Sequence, residues 1–256
     1  MWNNLILDPM INILLMIYQA LGSNFGLSII VFTIIIRLIT LPLTLKQQKS
    51  TMKMQELQQT KKWQDIQTKY KDNKQKLQEE QLKLYQEIGF NPLSGCLPTV
   101  IQFPIIIGLY QAIIRSLAST PVQLMELANH IYDIIPDSLI PLNNQFLWMN
   151  LGQPERLYLP FLPTIGIPVL TILVVLSSYF QTKLITPPST GTDQGQGAMM
   201  NNFMSLYMPV LMGYFAYSYA SGLALYFVAS NLLGILQYAA MGKLDLSKLL
   251  PVKKQS

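Results

Sequence analysis

Arg37 is an arginine in an apolar setting. It lies ten residues into the segment Leu27 to Leu45 and eight from its end. If that segment spans a bilayer, the charge falls near the middle, where an arginine costs about 3 kcal/mol. The surrounding Ile, Leu, Val and Phe residues offset this, each by up to about 0.5 kcal/mol at the centre. Thr33, Arg37, Thr40 and Thr44 are spaced four, three and four, which places them on one helical face. Other apolar segments carry matching polar groups: Gln102 in the second, Thr164, Thr171 and Ser178 in the third, and Tyr226, Ser230 and Gln237 in the fifth. Four such stripes can enclose a wet groove holding one positive charge. No Asp or Glu lies within these segments, so an ion pair inside the membrane is not available. Arg37 then either draws an anionic group or bonds carbonyls freed by the prolines. Taken singly, the threonines are better read as bonding their own helix backbone.

Other chemistries lack residues. His130 is the only histidine and Cys96 the only cysteine, which leaves no His-based metal site, no His-based triad and no internal disulfide. Cys96 reads as a small buried residue. There is no HExxH or GxSxG motif and no carboxylate pair in the spans, hence no general base of the usual kind. An enzyme, a metal and a cofactor are not expected.

The elements that must position Arg37 follow from composition. Half of the 256 residues are hydrophobic and 12% are charged, against about 25% charged in soluble domains. Five apolar segments are long enough to span, at about 17–25 residues each: 27–45, 97–115, 160–182, 203–220 and 222–241. Pro104, Pro163, Pro168 and Pro209 fall within them and are expected to kink their helices. Ten lysines lie between Lys46 and Lys83, none of the basic residues lies in 1–26, Arg156 is the only one in 116–159, and the tail 242–256 carries Lys243, Lys248, Lys253 and Lys254. The positive side is cytoplasmic, so the N-terminus is placed outside and the tail inside. Arg115 at the outer end of the second span reads as a snorkelling anchor. Trp148 and the tyrosines at helix ends read as interface anchors.

Between the spans, 46–96 reads as a cytoplasmic helical hairpin turning at Asp72 and Asn73. Its stripes are Trp63, Ile66 and Tyr70, and Leu77, Leu84 and Ile88. Interleaved acids such as Glu79 and Glu80 argue against nucleic acid. Within 1–26, Asp8, Asn12 and Gln19 fall on one face, and Ile6, Met10, Ile13 and Ile17 on the other, as in a helix lying in the outer interface. Residues 116–159 form an outer loop and 183–202 a cytoplasmic loop, flexible by composition over Pro187 to Gly197.

These runs resemble the YidC/Oxa/Alb family of membrane protein insertases. The resemblance rests on Thr33 to Thr44 (TIIIRLITLPLT), on KLQEEQLKLYQEIGFNPLSGCLP, on Gln102 to Arg115 (QFPIIIGLYQAIIR) and on Phe146 to Pro154 (FLWMNLGQP). Ser94 stands where the family usually has a second glycine. The resemblance implies an all-α integral membrane protein, a five-transmembrane-helix bundle with a hydrophilic groove and a cytoplasmic helical hairpin. It implies insertion and folding of single- and multi-span proteins without nucleotide or cofactor, at the bacterial cell membrane. The groove residues would be Arg37, Thr33, Thr40, Thr44, Gln102, Ser230 and Gln237. Docking on the hairpin would use Lys61, Lys62, Trp63, Lys69, Lys71 and Lys74. Partners implied are nascent membrane proteins and lipids, with the secretion channel, the signal recognition particle machinery and the ribosome. The competing function is a small-anion transporter or channel, although five spans do not divide into two equal repeats. An assembly factor without insertase activity is a further alternative.

Overall fold

A computed structural model describes residues 2–71, 73–89, 97–118, 120–136, 139, 141–159, 162–185 and 206–241. Cys96, the Asp72 half of the hairpin turn, Pro187 to Gly197 and the basic tail lie outside them. A π-helical turn, Asn3–Leu7, leads into α1 (Asp8–Ala20), with Pro9 in its first turn, where no backbone N–H is needed. Gly22 and Ser23 then take positive φ. Asn24 Oδ1 accepts from the Leu27 N–H at 3.0 Å, capping α2 (Phe25–Gln58), a 34-residue helix containing Pro42. At about 1.5 Å per residue α2 outruns a hydrocarbon core of about 30 Å, so the first apolar segment and the first lysine-rich stretch are one rod.

The core joins α1 and α2 to α5 (Leu97–Ser116) and α9 (Ser221–Ala240). Leu7, Ile11, Leu14 and Leu15 are fully buried together with Phe25, Ile29, Leu109 and Ile113. Here the amphipathic assignment of the first helix is corrected. Asn12 is 2% exposed, whereas Ile13 and Met16 are 41% and 49% exposed. Asn12 is covered because residues 130–132 supply its partners, while Gln19 on the same face stays exposed. Asn12 Nδ2 donates to the carbonyls of Asp8 (2.7 Å) and His130 (2.8 Å), and Asn12 Oδ1 accepts from the Tyr132 N–H at 2.7 Å. Leaving a buried hydrogen-bonding group unpaired costs about 1–3 kcal/mol. Asn12→Ala is expected to lose stability in that range, read as a lowered melting temperature in detergent.

Arg115 is also more than an anchor. Its Nη1 donates to His130 Nε2, and His130 Nδ1 lies 2.7 Å from Asp8 Oδ1. Arginine only donates, so the ring proton sits on Nδ1 and goes to Asp8. The cluster ties α1, α5 and the outer loop.

The segment 145–153 docks on the final helical pair. Strands β1 (Gln145–Phe146) and β2 (Met149–Asn150) pair antiparallel, and Phe146 covers Gly26, where a Cβ would overlap its ring. The carbonyls of Leu151 and Gln153 accept from the N–H groups of Gly222 (3.0 Å) and Ser221 (2.8 Å), and Ser221 Oγ donates to the Asn150 carbonyl at 2.8 Å. The turn between α8 (Met208–Ser218) and α9 falls at Tyr219 and Ala220, just before Ser221, the residue that separates the segments 203–220 and 222–241.

The third span is shorter than 160–182. Leu162–Ile167 forms β4, antiparallel to β3 (Leu157–Leu159), and α7 runs Val169–Ile185. Pro163 and Pro168 explain this: each lacks an N–H, and each disfavours α geometry in the residue before it. Thr164 therefore lies on a strand, and the polar stripe of this helix begins at Thr171. Among the described residues, two helices are long and apolar enough to cross a bilayer, Phe25–Ser50 and Ser221–Ala240. Phe103–Ser116 and Val169–Leu184 are apolar and shorter, and α8 has 11 residues.

Helices α3 (Lys61–Lys69) and α4 (Lys74–Glu87) form the hairpin, with Thr60 and Asn73 accepting at their N-termini from Trp63 and Lys76. Leu57, Trp63 and Leu84 are its buried centre, flanked by Ile66 and Tyr85. Ile88, expected in the stripe, is 50% exposed, because α4 ends at Glu87. Lys83 bonds Glu79 (2.9 Å) and Glu80 (2.8 Å). These carboxylates push its ammonium pKa up, and Lys83 in turn pulls the Glu79 carboxyl down. Both groups are exposed, so they add little stability; the apolar centre holds the hairpin. Leu84→Ala is expected to weaken it by about 2 kcal/mol, seen as faster amide exchange confined to residues 57–87.

Candidate functional site

Arg37 leaves α2 half-buried and meets α9. Its Nη2 donates to the Ser230 carbonyl at 2.6 Å and to Ser230 Oγ at 2.7 Å, and Nε donates to the same Oγ at 3.2 Å. No other hydrogen-bond partner of the guanidinium is found among the described residues. These contacts use Nη2 and Nε, and Nη1, with two N–H groups, has no partner among the described residues and can meet an incoming acceptor. The pairing is with a hydroxyl and a carbonyl, so the positive charge is not neutralised.

The wall opposite α2 is polar at the same level. Asn231 Nδ2 donates to Ser177 Oγ (3.0 Å) and Ser178 Oγ (2.7 Å), locking α9 to α7. Gly234 lies one turn beyond Ser230. A Cβ there would overlap Gln181 Nε2 and come within 3.5 Å of Arg37 Nη2, so the missing side chain makes room for Gln181 of α7 beside the arginine. Hydrogen-bonded groups between helices in an apolar medium contribute about 0.6–2 kcal/mol each.

The threonines of the stripe are turned inward on their own helix. Thr33 Oγ1 donates to the Ile29 carbonyl at 2.6 Å, Thr40 to Ile36 at 2.8 Å and Thr44 to Thr40 at 3.0 Å. Thr33 is fully buried. Each keeps acceptor capacity only. Gln102 lies on α5, and its side chain is outside the described residues. Gln237 is partly buried, two turns beyond Ser230 on the same face. The structure thus brings Arg37 and Ser230 together, joins Ser178 of the third-segment stripe to the same wall, and adds Gln181, Asn231 and Ser177, which the sequence reading did not select. Asn231 adjoins Ser230, and Ser177 adjoins Ser178, so the stripe pattern passed beside them.

On the hairpin, Lys61, Lys62, Lys69 and Lys71 are exposed. Lys62 pairs with Glu87, and Lys69 lies 5.3 Å from the Tyr70 ring centre. The side chain of Lys74 is outside the described residues. Trp63 is 3% exposed and tilted against Tyr85 at 5.7 Å. It is therefore corrected from a docking residue to a core residue: the indole is the largest apolar group the two short helices can share. No cluster of three or more potential metal ligands occurs among the described residues.

A model of the 60Kd inner membrane protein family matches residues 16–247. The chain is 33% identical over 252 residues to the membrane protein insertase YidC of Oceanobacillus iheyensis, covering 96% of this chain and 86% of that one. It is 34% identical over 251 residues to the membrane protein insertase MisCA of Bacillus subtilis, covering 96% and 81%. A crystal structure of an active YidC insertase with its first transmembrane domain resolved superposes with a TM-score of 0.58 at 29% identity. The match covers 94% of this chain and 46%, about half, of that longer chain.

Proposed function

The chain belongs to the 60Kd inner membrane protein family, the membrane protein insertases of the YidC type, and we propose that it performs insertion with Arg37 as the attracting charge of a groove between α2, α7 and α9. It is an integral protein of the inner or cell membrane, its fold is mostly helical, and its substrates are membrane proteins. The family's activity is not enzymatic. The observation that carries the proposed mechanism is the Arg37–Ser230 contact: a cation held in place by neutral groups, with no carboxylate against it among the described residues.

Five spans, at 27–45, 97–115, 160–182, 203–220 and 222–241, are the proposed topology. The third is shortened at its outer end by β4, and the N-terminus lies outside. The substrate's hydrophilic outer tail enters the groove, and its carboxylates are drawn to Nη1. Groove carboxamides and hydroxyls replace lost hydration while the apolar segment of the substrate leaves for lipid. That partition drives the step, at about 25 cal/mol per Å² of apolar surface removed from water. Short spans thin the bilayer locally and shorten the polar path. Thr33, Thr40, Thr44, Gln102 and Gln237 line or back this path. Lys61, Lys62, Lys69, Lys71 and Lys74 are the proposed docking face for substrate, the targeting machinery and the ribosome, and the secretion channel is a further proposed partner.

The test is insertion by the purified chain alone in proteoliposomes, using a small single-span substrate with a short outer tail. Protease protection of the tail above that in empty liposomes is the expected result. Background protection with folded protein would remove autonomous insertion and leave the assembly-factor alternative.

A further inference from the structure

Helices α2 and α9 run parallel and in register. A Cβ on Gly222 would come within 3.3 Å of Ile29 Cδ1, and Ser230 bonds Arg37; the two pairs share one sequence offset, 193 residues (222 − 29 and 230 − 37). The same offset sets Gln237 level with Thr44. Gln48 follows four residues later on α2. It lies 11 residues from Arg37, close to three full turns, so it continues the stripe of Thr33, Arg37, Thr40 and Thr44.

Gln48 is 8% exposed. Its Oε1 is buried with no hydrogen-bond partner, and so is Nε2 of Gln237. One is an orphaned acceptor and the other an orphaned donor. Buried polar groups of this kind are rare in folded proteins, and each calls for a ligand or a role. The two are separated along the helix axes by four residues, about 6 Å. Along one side of an extended peptide N–H and C=O groups alternate, each type repeating every second residue, about 6.7 Å, so an acceptor and a donor a few Å apart along the groove can both find partners on one edge of the tail.

We propose that Gln48 and Gln237 form a main-chain subsite beyond Arg37, in which Gln48 Oε1 accepts a peptide N–H and Gln237 Nε2 donates to a peptide carbonyl of an extended substrate tail. The ligand class is the polypeptide backbone, whatever its side chains. This rests on the insertase groove proposed above, but not on the charge of Arg37. It divides the work of the groove: the arginine senses tail charge, and the amide pair holds any tail in extended form, with its peptide groups bonded while it leaves water.

The experiment uses the full-length protein in liposomes and a synthetic single-span peptide with a short, uncharged outer tail, made either unmodified or N-methylated at alternate tail residues. One net hydrogen bond is worth about 1 kcal/mol, so the N-methylated tail is expected to insert about five-fold more slowly. Gln48→Met slows the unmodified tail to the same degree and shows no further loss with the methylated one. Gln237→Met slows insertion and keeps the sensitivity to methylation, because it serves the carbonyl. Equal rates for both tails in the unaltered protein would overturn the proposal, and that arm needs no variant to fold. Multiplying effects of Gln48→Met and N-methylation would overturn it as well. Because the tail is uncharged, these outcomes are separate from any dependence of acidic tails on Arg37.

Discussion

Arg37→Ala abolishes insertion of a substrate with an acidic outer tail, and Arg37→Lys retains it at a level reduced a few-fold. This is the expected result of a protease-protection assay in proteoliposomes. Two opposite charges about 4 Å apart attract by roughly 4 kcal/mol at an effective dielectric constant near 20, so losing the cation removes two to three orders of magnitude in tail capture. Lysine keeps the charge but gives up the fork that grips Ser230, so a loss of a few-fold is expected there. A neutral tail loses less in Arg37→Ala than an acidic one. Equal protection of the acidic tail by the alanine variant and the unaltered protein would sink the electrostatic part of the mechanism.

Glu155→Ala has the largest expected effect on stability. Glu155 is 6% exposed. Its Oε2 accepts from the Leu170 N–H at the start of α7 (3.0 Å), and its Oε1 accepts from Trp148 Nε1 (2.9 Å). The carboxylate thus caps the helix that carries Ser177, Ser178 and Gln181, at the end where the helix dipole favours negative charge. Hydrogen bonds to charged groups contribute about 1.5–3 kcal/mol each; losing both should cost roughly 3–5 kcal/mol. The check is thermal unfolding in detergent beside Glu155→Gln, which keeps one acceptor and should lose about half as much. A melting temperature unchanged in Glu155→Ala would show that other groups position α7.

Arg37 and Ser230 were legible because each broke an apolar run on a face defined by helical spacing. Their distance was not, since nothing in the spacing of one helix gives its register against another. The 193-residue offset is set by Gly222 under Ile29 and by the outer turn bonded to Leu151 and Gln153. The third span was misread because apolar content was counted ahead of Pro163 and Pro168, which make Leu162–Ile167 a strand. The first helix was misread because its polar face was assumed to meet water, whereas residues 130–132 meet Asn12 with backbone groups. Trp63 was read both as a stripe residue and as a docking residue; at 3% exposure it keeps the first role and loses the second. Glu155 was overlooked as one acid in a loop, although it directly follows the run Phe146 to Pro154 and completes what that run does, which is to fasten the outer ends of α7 and α9.

α2 is one helix from Phe25 to Gln58, and this makes it a lever. With its outer end wedged in the core at Phe25 and Ile29, Arg37 stands about 18 Å along an arm of about 50 Å. A sideways push of 3 Å where the hairpin joins would arrive at the arginine's backbone as about 1 Å, comparable to the slack in its bonds to Ser230. Pro42, between load and arginine, lacks one rung of the helix ladder and sets how much of that torque is lost on the way. A ligand pulling on the lysine-rich hairpin would thus act mechanically on Arg37, through the single rod that runs from that charge to the start of the hairpin.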